Sequence, residues 1–152
     1  MRSALSDLAA MAFAALCTTA CGGDEIDEAG AAQLWDRLQT EAYRTWDRAP
    51  GWESRQPTVS VHGQTADIFV NTVASDALQT QNLTEWPAGA LFVKDGYRND
   101  TLALIAAMEK RSSEWFFAEW DGEGKVKFAG SPSVCLDCHG AAPDFVFSAV
   151  LP

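Results

Sequence analysis

Cys135, Cys138 and His139 are the residues whose types and spacing could do chemistry. Together they read C-x-x-C-H, the attachment pattern of a c-type haem. Ser131 has the chemistry of a helix N-cap, Pro132 of a first helical residue and Gly140 of a helix stop. On the short helix this predicts, two cysteines three apart present their sulfurs on one side. They can reach the two vinyl groups of one porphyrin, and His139 follows at once to offer an imidazole to the iron. The cofactor implied is one haem c, covalent through Cys135 and Cys138, with His139 as its metal ligand. Two other chemistries use these residues. Half of a zinc site would need a fourth ligand, for which His62 is the remaining candidate. A redox dithiol belongs beside a βαβ pattern, which the chain does not show.

The elements that must position this motif come before it. Residues 1–20 read as an export signal, with Arg2 as a thin positive start and an apolar run from Leu8 to Leu16 that is too short to span a bilayer. Thr18-Thr19-Ala20-Cys21-Gly22 then resembles a lipoprotein cleavage site, although Thr18 holds the usual Leu position; a misassigned start aside, the mature protein is expected either anchored at Cys21 or released by ordinary cleavage. Both outcomes place it outside the cytoplasm, in the periplasm or on the outer face of a membrane. Residues 21–30 form an acidic tether, and residues 31–152 one domain. Leu34, Trp35, Leu38, Ala42, Tyr43 and Trp46 make an apolar stripe at helical spacing, which predicts a helix ended by Ala49-Pro50-Gly51.

Beyond Val59 the period changes to two. Ala66, Ile68 and Val70 alternate with Asp67, Phe69 and Asn71 as a strand, and Asn71-Thr72 caps a short helix. A strand from Ala90 to Lys94 is stopped by Asp95-Gly96, and Thr101 to Glu109 forms a longer one. Trp115 to Trp120 and Lys125 to Ala129 make a hairpin around Asp121-Gly122-Glu123-Gly124. The fold class expected is α+β: an antiparallel sheet of about five strands, an N-terminal helix and a short C-terminal haem-binding helix. The net charge of −10 argues against nucleic acid and anionic lipid as partners.

Val61-His62-Gly63, Phe69-Val70-Asn71, Trp86-Pro87-Ala88-Gly89-Ala90 with Val93-Lys94, Met108-Glu109-Lys110, Trp115-Phe116, the C-x-x-C-H segment and Asp144-Phe145-Val146-Phe147 run in one order along the domain. In these segments the chain resembles the cytochrome P-460 family, which includes hydroxylamine-oxidising cytochromes and the cytochromes c′-beta. The resemblance implies an antiparallel sheet, a homodimer and a haem near the C-terminus. It implies that Lys94 occupies the position at which the oxidases link a lysine covalently to the porphyrin. Phe92 and Lys94 share a strand face, so a haem-lining Phe92 brings Lys94 with it; the alternative is an exposed strand-end lysine. One departure stands out. The oxidases carry a proton-moving glutamate on the strand matching Leu104 to Met108, where this chain has no carboxylate facing with Ala106 and Met108. The expected activity is therefore divided between hydroxylamine oxidation and binding of nitric oxide at an open iron position.

Met108 is a candidate sixth haem ligand, which would make an electron carrier, or else a pocket wall. His62 is a candidate distal ligand or proton donor, and in this family context reads as structural, hydrogen-bonded at the turn before Gly63. The partners expected are a small nitrogen-containing or gaseous ligand and a redox protein.

Overall fold

The computed structural model describes residues 25–152; the expected export signal and the lipidation site at Cys21 lie outside them. The first element, α1, spans Glu28–Thr40 and so begins inside the stretch read as tether. Asp27 caps it, accepting the Gly30 amide at 2.8 Å, and Glu28 places a negative charge on its first turn. Ala31, Leu34 and Leu38 are its buried face. The apolar stripe continues to Trp46, yet the helix stops at Thr40. Ala42 takes a left-handed backbone (φ 47°), and a 3₁₀ turn over Tyr43–Thr45 follows. The reason is tertiary. Tyr43 must turn inward so that its hydroxyl can donate to Asp95 at 2.6 Å, while its ring meets Phe69 edge-on at 5.7 Å.

Seven strands follow: β1 Asp47–Arg48, β2 Gln56–Pro57, β3 Thr65–Val70, β4 Leu91–Arg98, β5 Thr101–Arg111, β6 Glu114–Asp121 and β7 Val126–Gly130. The last five are those expected from the sequence, and the two-residue strands β1 and β2 share one edge of β3. The sheet runs β1-β3-β4-β5-β6-β7, antiparallel throughout. Between β3 and β4 lies α2, Thr72–Ala77, capped as expected by Asn71, which accepts from Ala74 at 3.0 Å.

β4 does not stop at Asp95-Gly96. Asp95 points toward α1 and is fully buried, where a carboxylate is tolerated only with partners. Tyr43 and Arg44 supply them, both at 2.6 Å. Gly96 faces the other way, and a Cβ there would collide with the backbone carbonyl of His62. Turn-forming residue types are thus used here for burial and close approach, and the ladder continues.

Alternation sends two apolar sets to opposite faces of the sheet. Leu91, Val93, Ile105, Ala107, Phe116, Ala118 and Trp120 pack under α1. Ile68, Val70, Phe92, Met108, Trp115 and Phe117 form the second face. The C-terminal segment crosses this second face: α3 spans Ser133–His139, and a 3₁₀ turn spans Pro143–Phe145. The N-cap of α3 is Pro132 rather than Ser131. The Ser131 hydroxyl instead donates to the Trp115 carbonyl at 3.1 Å, tying the start of the helix to β6. Farther along, Asp144 is a staple: it accepts from Lys110 at 2.7 Å, from the Trp115 indole at 3.1 Å and from the Trp86 amide at 2.6 Å. Lys110 is therefore committed to the staple.

Candidate functional site

The second face of the sheet carries two cross-strand rows. The first reads Val70, Phe92, Met108, Phe117; the second reads Ile68, Lys94, Ala106, Glu119. Each row is set by register, since residues directly opposite in an antiparallel pair share a face. α3 lies over this face with Cys135 and Leu136 packed against its apolar cluster, while Cys138 is exposed. The structure therefore brings Phe92, Lys94, Met108, Cys135 and His139 to one side of the molecule. Phe92 and Met108 are buried neighbours in the first row, and Lys94 is half-buried in the second.

His139 is half-buried at the end of α3, its ring 5.2 Å from Phe117 and 5.6 Å from Phe147. Its Nδ1–H donates to the Phe145 carbonyl at 2.8 Å. That bond orients the ring and leaves Nε2 for another partner, the arrangement by which an imidazole is prepared for a metal. Burial lowers the His139 pKa, the Phe145 bond partly offsets it, and the Lys94 ammonium lowers it further. The imidazole is thus kept neutral, as a ligand requires. Burial likewise pushes Lys94 down, with Cys138 working the other way.

Two residues change standing. Glu119 went unrecognised in the sequence and sits in the Lys94 row on the second face. β6 thus places a carboxylate on the second face, directly across from Ala106 of β5. Trp115, Phe117 and Glu119 alternate within the hairpin strand, a signal of common facing, but the face itself needed the sheet register. Burial raises the Glu119 pKa, moderated by Lys127. His62 was expected as a hydrogen-bonded structural residue. Instead its Nδ1 is buried with no hydrogen-bond partner, and its Nε2 lies 3.6 Å from Glu119 Oε2. Its ring is 6.3 Å from that of His139, at 25° between planes. Burial, then the Lys94 charge and His139, push its pKa down to about 4.

The residues present fit a haem. A C-x-x-C-H helix abuts an aromatic-walled sheet face, one imidazole is oriented with a nitrogen to spare, and a buried imidazole nitrogen stands unpartnered nearby. They do not fit zinc, because among the described residues no three His, Cys, Asp or Glu side chains converge to hold a metal ion.

A consequence of the Glu119 burial is a pH-dependent stability. A carboxyl whose folded pKa is raised stabilises least once it ionises, so stability is lost as pH rises through the folded value and is fully present below the unfolded one. Glu119→Gln is expected to raise the melting temperature at neutral and alkaline pH. The gain should shrink toward zero in acid, where both side chains are neutral. A gain independent of pH in thermal melts would show that ionisation of Glu119 is not its source.

A family model described as Cytochrome P460 matches residues 40–148, which takes in the whole sheet, α3 and the Asp144 staple. No curated protein matches the sequence. With most of its length so matched, and with its aromatic sheet face set against a C-x-x-C-H helix, the chain belongs to the cytochrome P460 family of haem proteins.

Proposed function

We propose that the protein is an exported monohaem c-type cytochrome that acts on small nitrogen species, with oxidation of hydroxylamine as its principal reaction. The observation that supports this reading is the Lys94–Ala106–Glu119 row, which sets a half-buried carboxylate and a half-buried lysine on the face beneath the C-x-x-C-H helix. When bound, the haem supplies a redox-active iron. Cys135 and Cys138 hold the macrocycle through thioethers, and His139 holds the iron, its ring fixed by Phe145. Phe92, Met108 and Phe117 wall the site and exclude water. Met108 is packed between two aromatic residues in its row, which suits a wall better than a ligand. Oxidising hydroxylamine withdraws protons together with electrons. Glu119, whose pKa burial raises, takes the protons, and an external redox protein takes the electrons. The acidic chain, of net charge −10, suits a basic redox partner, and a homodimer outside the cytoplasm is the expected state.

A second reading, reversible nitric oxide binding without turnover, rests on the apolar row through Phe92, Met108 and Phe117. Intact mass, visible spectrum and steady-state hydroxylamine oxidation with an artificial electron acceptor, all on the mature protein, decide between them. Turnover supports the first reading, and tight nitric oxide binding without turnover the second. A colourless protein with the mass of bare polypeptide would overturn both.

Lys94→Ala is expected to leave the haem attached through Cys135 and Cys138 and to abolish any far-red displacement of the ferrous Soret band. A red-shifted band that survives in the variant would remove the cross-link at Lys94.

A further inference from the structure

A ligating imidazole must be held in orientation as well as in place. Its last side-chain torsion joins an sp³ to an sp² carbon and has broad minima, so the ring turns unless its neighbours stop it. The Phe145 carbonyl holds one atom of the His139 ring, Nδ1, at 2.8 Å. The ring can still swing about that bond. Three other rings bound it. Phe117 and Phe147 meet it at 58° and 61° between planes, too steeply for either to lie flat on it. Of the three, His62 is the one that lies nearly parallel, at 25°, with centroids 6.3 Å apart and so within the range at which aromatic rings attract.

The nitrogens of His62 make no hydrogen bond in this position. Nδ1 is buried without a partner, a rare condition, and Nε2 stands 3.6 Å from Glu119 Oε2, too far for one. What the residue contributes here is the flat surface of its ring. The loop that carries it is fixed from both sides. The Val61 carbonyl accepts from Arg98 at 2.9 Å, the Gln64 amide donates to the Tyr97 carbonyl at 2.8 Å, and the Gln64 side chain accepts from the Asn99 amide at 3.0 Å. The His62 carbonyl lies against Gly96, where a Cβ would collide with it, and Gly63, at φ 142°, leaves no room for a Cβ beside the Tyr97 backbone. A loop remote in sequence thus presents one rigid ring to the end of α3.

We propose that His62 is a positioning residue for His139: its ring is the wall that stops the ligating imidazole from turning, and it binds no metal itself. This rests on the haem reading above and leaves the other axial position of the iron open.

The test uses the mature, haem-loaded protein. Resonance Raman spectroscopy of the ferrous form reads the iron–imidazole stretching band, a property of the bond itself that a change in stability alone does not move. His62→Ala should broaden and shift this band, with haem content and spin state unchanged. His62→Phe restores a flat ring without nitrogens and should return the band toward its wild-type position and width. Should His62→Ala fold poorly, His62→Leu fills the space without a flat face and should broaden the band in the same way. A band unaltered in His62→Ala or His62→Leu overturns the proposal and leaves the haem reading intact. A band altered equally in His62→Phe and His62→Ala also overturns it, because the role then belongs to the nitrogens. A ferric iron that passes from low to high spin in His62→Ala overturns it by making His62 a ligand. Protein that carries no haem overturns both the proposal and the haem reading.

Discussion

Replacing both Cys135 and Cys138 by alanine is expected to return a polypeptide that loses its haem on denaturation, with an intact mass equal to the bare chain. The single variant Cys135→Ala should retain one thioether at most, at reduced yield. The effect is large because nothing else in the C-x-x-C-H segment forms a covalent bond. His139 contributes one coordinate bond that acid or denaturant breaks, and apolar contact with Phe92, Met108 and Phe117 vanishes on unfolding. Cys135 should matter more to the fold than Cys138, since it packs against the apolar cluster while Cys138 is exposed. Intact mass under denaturing conditions and the pyridine haemochrome spectrum read the result. Haem mass that persists in the double variant but disappears when Lys94→Ala is added would locate a bond at Lys94. Persistence in the triple variant would overturn the attachment altogether.

Asp144→Ala should be the most destabilising substitution outside the haem ligands. It leaves the Lys110 ammonium, whose side chain is only 3% exposed, with the exposed Glu85 carboxylate 3.9 Å away as its remaining ion-pair partner, and deprives the Trp115 indole and the Trp86 amide of their acceptor. Breaking a buried pair from one side costs about 3–5 kcal/mol, a fall of about 10 °C or more in melting temperature for a domain of this size. Asp144→Asn keeps an acceptor but not the charge and should lose less. The pH dependence has a definite sign. Burial alone would raise the Asp144 pKa, but the bonds from Lys110, Trp86 and Trp115 outweigh it and hold the carboxyl below its ordinary value. A depressed carboxylate contributes stability above its unfolded pKa, and that stability is lost as pH falls through the folded one. The wild type should therefore lose its advantage over Asp144→Ala on acidification. A difference in melting temperature that stays constant from neutral pH to strong acid would show that the ion pair is not the origin. The staple also reaches the haem site, because Phe145 is the next residue and its carbonyl orients His139. The variant should show an altered haem midpoint potential even where it remains folded, which a stability role alone would not produce.

Staple and sheet together explain why some of this protein was legible in its sequence. C-x-x-C-H is a local pattern: three atoms that must meet one porphyrin are brought together by a single turn of helix, so spacing suffices. Strands β3 to β7 were legible because alternation and turn chemistry are local too, and Phe92 with Lys94 followed from parity on one strand. The end of α1 was not. Its apolar stripe runs on past Thr40, and only the demand of the buried Asp95 for the Tyr43 hydroxyl and the Arg44 guanidinium breaks it. The stop assigned at Asp95-Gly96 failed for the related reason that two residue types common in turns were serving long-range contacts.

The sequence by itself determined the chemistry on offer: a haem-attachment triplet, a strand lysine, a glutamate and a histidine scattered over the chain, and the aromatic residues to surround a flat cofactor. Tertiary structure alone decided which of them act together. Glu119 joins Lys94 through the register of three strands, and His62 lies near His139 while Gly96 leaves room for its carbonyl against β4. Registers and close approaches are set by the balance of contacts over the whole sheet, and no local window of residues contains that balance.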